Sequence, residues 1–109
     1  MPGGFKLAFY GFYTTLVVMA KHSAFELEVL GFVADDYEAP HTIAEDISRE
    51  LKRPTSEAEV LAALLALAHT GMVQTYVYDS SGSRYRPITA REAATAKDPW
   101  FMATETGKL

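Results

Sequence analysis

The stretch PTSEAEVLAALLALAHTGMVQTYVYDSSGSRYR, Pro54 to Arg86, decides how the rest of the chain is read. Ser56 followed three residues later by Glu59 has the form of a capping box, in which each side chain satisfies the other's orphan backbone N–H. Val60, Leu61, Leu64, Leu65 and Leu67 then cover one broad face at about 100° per residue, which predicts a helix over Glu57–Thr70. Gly71 stands where a left-handed residue closes a helix and lets Met72 pack back on Leu67. Beyond it the period drops to two, with Val73, Thr75 and Val77 alternating with Gln74, Tyr76 and Tyr78. That alternation predicts a strand over Val73–Asp79. DSSGS is turn chemistry, with Gly82 expected to supply the permissive backbone, and Arg84–Ile88 returns as the partner strand. From Pro54 to Ser83 there is no lysine or arginine.

Working outward, the same capping signature recurs at Ser23/Glu26, Thr42/Glu45 and Thr89/Glu92. The first opens a helix expected over Ala24–Ala34, with Phe25, Val29, Phe32 and Val33 at helical spacing. Gly31 weakens that helix by about 1 kcal/mol relative to alanine, which close packing would explain. DDYEAPH ends it, because Pro40 disfavours helical backbone at Ala39. The second predicts a helix over Ile43–Leu51 with Ile43, Ile47 and Leu51 in one apolar line. The last predicts a short helix within Thr89–Lys97, followed by a strand over Trp100–Thr104. Leu30, Ile47, Leu51, Leu61, Leu64 and Val73 are expected to be buried. No internal repeat and no long linker divides the chain, so residues 23–109 read as one domain with a single core.

Residues 1–22 read as an apolar extension. FKLAFYGFYTTLVVMA carries one charge, Lys6, and its uncharged run Leu7–Ala20 falls short of the roughly 20 residues a membrane span needs. A secretory signal fits its length but not its flanks, which lack basic character before the run and a small-x-small site after it. Two readings fit better. The segment covers apolar surface on the domain or on a second subunit, or the reading frame begins at Met19 and residues 1–18 are dispensable to the core.

A formal charge of -4 argues against a generic polyanion binder, although a local basic patch matters more than the sum. The zero cysteine count excludes disulfides and thiolate metal sites and fits a cytoplasmic protein. His22, His41 and His69 are scattered without metal-ligand spacing, and Asp35–Glu38 lacks the loop spacing of a calcium hand. No nucleophile motif and no phosphate-cradling glycine loop is present, so neither an enzyme nor a cofactor is expected.

Helix, helix, helix, hairpin is the order of a winged helix-turn-helix, and the chain from Ser23 onward resembles bacterial regulators of the MarR and PadR type. TIAEDISREL is similar to the helix before the recognition helix, EVLAALLALAHTGMVQTYVY to the recognition helix running into the wing, and WFMATETGKL to the closing strand. The Thr89–Lys97 insertion and the uncharged third helix depart from the pattern. The resemblance implies a mainly α fold with a small β-wing (α+β) and a cytoplasmic regulator that binds double-stranded DNA. The candidate contacts are Arg49, Lys52, Arg53, Thr55, Ser56, Arg84, Tyr85 and Arg86. Base edges are read mainly by Arg, Lys, Asn and Gln, whereas the third helix offers Glu57, Glu59 and an outer face of Ala58, Ala62, Ala63, Ala66 and His69. Binding is therefore expected to rest on phosphate contacts. The alternative is a protein-interaction or dimerisation module that uses the alanine face, with a second copy of the chain as one candidate partner.

Overall fold

Ser23 starts the first helix of the computed structural model, which describes residues 20–107. The Glu26 N–H donates to Ser23 Oγ at 3.1 Å and the Ser23 N–H donates to Glu26 Oε1 at 2.8 Å, so the capping box is complete. This helix, α1, runs over Ala24–Phe32 and stops two residues before the expected Ala34. Val33 leaves the helix because its carbonyl accepts the Ala103 N–H at 2.8 Å, tying the helix end to the sheet.

The second helix, α2, spans Pro40–Leu51 and corrects the expected start at Ile43. Pro40 occupies the first turn, where its fixed φ suits the helix and its missing N–H costs nothing. Ala39 is the extended N-cap and makes no side-chain cap bond, so the Thr42/Glu45 box does not form. At the other end Lys52 turns left-handed at φ 53°, and Leu51 is 45% exposed rather than buried as expected. The third helix, α3, spans Glu57–His69 with Ser56 as N-cap. It closes at Gly71 with φ +78°, the Met72 N–H donating to the Leu67 carbonyl and the Gly71 N–H to that of Ala68. This is the Schellman stop foreseen from the Gly-Met pair.

Strands β1 (Val73–Asp79) and β2 (Arg84–Ile88) pair antiparallel, with Tyr78 opposite Tyr85 and Thr75 opposite Ile88. Helix α4 (Ala90–Thr95) follows with a complete Thr89/Glu92 capping box, and β3 (Trp100–Ala103) returns to the other side of β1. The sheet order is therefore β2-β1-β3. Glu38, between α1 and α2, adds an isolated antiparallel bridge outside β3 through two backbone bonds to Phe101 of 2.9 Å each. The result is an α+β domain, with four helices and one three-stranded antiparallel sheet among the described residues.

The core lies where α1, α2 and α3 meet one face of the sheet. Val29, Ile43, Ile47, Val60, Leu64, Leu67 and Phe101 are fully buried there. Leu30, Ile47, Leu64 and Val73 are buried as expected, whereas Leu61 is only partly so. No described helix is long and apolar enough to cross a membrane. The expectations for residues 1–18 lie outside the described residues.

Candidate nucleic-acid interface

The junction between α2 and α3 is held by Ser48. Its Oγ accepts the Thr55 N–H at 2.9 Å and donates to the Thr55 carbonyl at 3.4 Å. This latch turns Thr55 inward, where it is 9% exposed and its Oγ1 has no hydrogen-bond partner. Ser56 spends its hydroxyl on the helix end, accepting the Glu59 N–H at 3.1 Å and donating to Glu59 Oε1 at 3.3 Å. Of the two hydroxyl residues picked from the sequence, Thr55 is inside the fold and Ser56 is occupied as a cap.

The three cations of this junction are exposed. Arg49 meets Asp46 at 3.4 Å, an exposed i,i+3 pair of little energetic weight. Lys52 is the left-handed C-cap of α2. The Arg53 guanidinium lies 5.8 Å from the Phe25 ring centroid, at the outer limit of a cation–π contact. Arg53 therefore leans toward α1.

The turn from β1 to β2 is organised by Asp79. Its Oδ1 accepts the Ser81 hydroxyl at 2.6 Å, the Ser81 N–H at 3.1 Å and the Gly82 N–H at 3.4 Å. Those bonds, the Ser81 hydroxyl first, hold the Asp79 carboxyl below its ordinary pKa, with a smaller contribution from Arg84. The left-handed residue is Ser83, at φ 50°, and not Gly82 as the sequence suggested. Gly82 instead leaves room for its neighbours, since a Cβ there would stand 3.3 Å from Arg84 Nε.

Strand alternation separates the three hairpin residues picked from the sequence. Arg84 and Arg86 pair with Asp79 and Val77, while Tyr85 pairs with Tyr78, so Tyr85 projects from the opposite face. Both arginines are exposed. Tyr85 is half-buried, stacked on Tyr37 at 3.8 Å and 9°, with the edges of Tyr78 and Trp100 at 5.2 and 5.5 Å. Tyr37 also meets Tyr76 edge-on at 4.9 Å. Burial lifts the Tyr76 hydroxyl above its ordinary pKa. Tyr85 is thus one member of an aromatic cluster that anchors the loop between α1 and α2 to the sheet.

Between the start of α3 and the sheet lies a groove of about 480 Å³, lined by Pro40, His41, Glu57, Val77, Tyr78, Lys97, Asp98 and Trp100 among others. Sequence reasoning did not find it, because its walls come from four separate parts of the chain. Glu57 and Asp98 place carboxylates there, beside the cationic Lys97. On α3 itself Ala58, Ala62 and His69 are exposed, Ala66 is half-buried, and Ala63 is 3% exposed. The expected outer face is corrected at Ala63, which packs into the core. Among the described residues no group of three or more His, Asp or Glu side chains is gathered as a metal site.

No protein family matches this chain, and no match is found among the curated proteins or the solved structures.

Proposed function

We propose that this domain is a winged helix-turn-helix that binds duplex DNA through its phosphate backbone, with little reading of base edges. The observation that carries the proposal is the placing of exposed cations at the two borders of α3. Arg49, Lys52 and Arg53 stand at its entry, and Arg84 and Arg86 stand on the hairpin that follows it. Helix α3 contributes Ala58 and Ala62 outward, which can touch thymine methyls but donate no hydrogen bond. Glu57 at its start repels phosphate, so affinity falls to the flanking arginines and lysine.

The test is duplex binding by fluorescence anisotropy across a salt series. Phosphate-driven affinity falls linearly in log K against log salt, and mixed-sequence duplexes bind almost equally. An isotherm that stays flat for mixed duplexes at low salt ends the DNA reading.

A second reading, a protein-interaction module, is favoured by the same exposed alanines, which allow close approach of another helix. Under it, Ala62→Arg with Ala66→Arg converts a dimer to a monomer in sedimentation and leaves DNA binding unimproved.

A further inference from the structure

The Thr89–Lys97 insertion ends at the groove between the start of α3 and the sheet. Its last residue and the three that follow, Lys97-Asp98-Pro99-Trp100, all line that groove. Pro99 is buried, and its ring fixes the backbone between the Asp98 carboxylate and the Trp100 indole. Tyr78 of β1 and Glu57 of α3 line the groove as well. At about 480 Å³ the space falls within the roughly 300–1,000 Å³ of small-molecule sites. Tyr78 is 50% exposed and Trp100 is half-buried. Both rings meet Tyr85 at steep angles, 64° and 74°, and Tyr85 is itself stacked on Tyr37. These contacts hold the two rings in place, so ordering them on a ligand costs little. Among the described residues no ring is stacked face to face on either, and no cation lies over either. The charged groups are equally unengaged. Glu57, Asp98 and Lys97 are exposed, and none of them is in an ion pair among the described residues.

We propose that this groove binds a small organic cation, an amidinium, guanidinium or ammonium group carried on a flat ring. The ring lies against Tyr78 and Trp100, and the charge lies beside Glu57 and Asp98. The lining selects this class of ligand. Aromatic faces attract cations, and tyrosine and tryptophan do so best when water is excluded. A flat body suits the offset or edge-on contacts that aromatic rings prefer. Two carboxylates stand against the single Lys97 ammonium, so a cation gains where an anion meets like charges. Lys97 opposes such a ligand, which gives the proposal a test of sign. The proposal is independent of whether the domain binds DNA.

Trp100 is the chain's only tryptophan, so its emission reports directly on the groove. The full-length protein is titrated with benzamidine, benzamide and benzoate, which share one ring and are cationic, neutral and anionic. The titrations are run at about pH 8, above the ordinary range of an imidazole such as that of His41 on the same lining. Saturable quenching by benzamidine is expected, about tenfold tighter than by benzamide, with none by benzoate. Glu57→Gln and Asp98→Asn are each expected to weaken benzamidine binding about threefold, whereas Lys97→Gln tightens it by a similar factor. All three positions are exposed, so the far-ultraviolet dichroism is expected to stay unchanged. Opposite signs at the neighbouring positions 97 and 98 separate a charge-selective site from a loss of fold. Emission unmoved by benzamidine overturns the proposal. So does equal affinity for benzamidine and benzamide, or parental affinity for benzamidine in both carboxylate variants.

Discussion

Gly71 holds φ +78° with open space where a Cβ would stand, so the cost of replacing it lies in the backbone alone. Gly71→Ala is expected to destabilise the domain by about 1–2 kcal/mol, the penalty of a left-handed L-residue. Urea unfolding checks this as a lower midpoint at unchanged slope. Gly107 is constrained differently, since a Cβ there would collide with the Met72 carbonyl. Glu38 gives a pH-dependent prediction. Its carboxyl is raised above the ordinary range by burial first, then by Asp36 and Asp46. A carboxyl whose folded pKa is raised costs stability when ionised, and the cost disappears as pH falls below the ordinary carboxylate value. Glu38→Gln is therefore expected to raise the melting temperature at neutral pH and to lose that gain in acid. Calorimetry at the two pH values decides it, and an unchanged melting temperature at neutral pH refutes it. Glu26, Asp79 and Glu92 carry the opposite sign, because hydrogen bonds lower their folded pKa values. Their contribution is complete above the ordinary carboxylate range and drains away as pH falls through the lowered values.

At the scale of the element, the helix ends separate cap signatures that form from one that does not. Ser56→Ala removes the acceptor for the Glu59 N–H and is expected to cost about 1 kcal/mol. Thr42 lies inside α2, three residues beyond its N-cap, so Thr42→Ala is expected to change stability by less than about 0.5 kcal/mol. Denaturant midpoints of the two variants, measured side by side, test whether the proline or the threonine starts α2. An equal loss in both would restore the capping box. The latch from Ser48 to Thr55 makes a related point about α2 and α3. Ser48→Ala strands a partly buried N–H and carbonyl at their junction, and loosens the mutual orientation on which any groove-binding role would rest.

For the whole molecule, the balance of charge decides what kind of binding is open to it. With a formal charge of -4, Glu57 at the start of α3 and Asp98 in the groove beside it, any attraction for a polyanion is confined to the exposed cations. If the proposed DNA role holds, Arg84→Ala with Arg86→Ala reduces the magnitude of the log K against log salt slope by about 2 and weakens all sequences alike. Glu57→Lys is expected to strengthen binding to mixed duplexes, because it replaces repulsion with a contact at the start of α3. Both are read by anisotropy, and a sequence-selective loss in the arginine variant would contradict backbone-led binding.

The sequence alone determined the signals that act over a few residues. The Ser23 and Thr89 boxes, the Gly71–Met72 stop and the alternation of Val73–Asp79 each involve neighbours along the chain, and each appears where the local pattern puts it. The arginines at positions 84 and 86 and the cations at 49, 52 and 53 could likewise be placed at a turn and a helix end. Only the tertiary structure decided which face each side chain takes. Ala62 is outside and Ala63 inside because the docking angle of α3 on its neighbours, not its composition, sets the boundary. Tyr85 leaves the arginines because the register with Tyr78 turns it toward Tyr37, a residue remote in sequence. Thr55 turns inward because Ser48 binds its backbone, and α2 begins early because Ala39 is held extended beside the Glu38–Phe101 bridge and Pro40 follows. These contacts join different elements, some of them distant in the chain as Tyr37 and Tyr85 or Glu38 and Phe101 are, and a pattern read within one element carries no record of them.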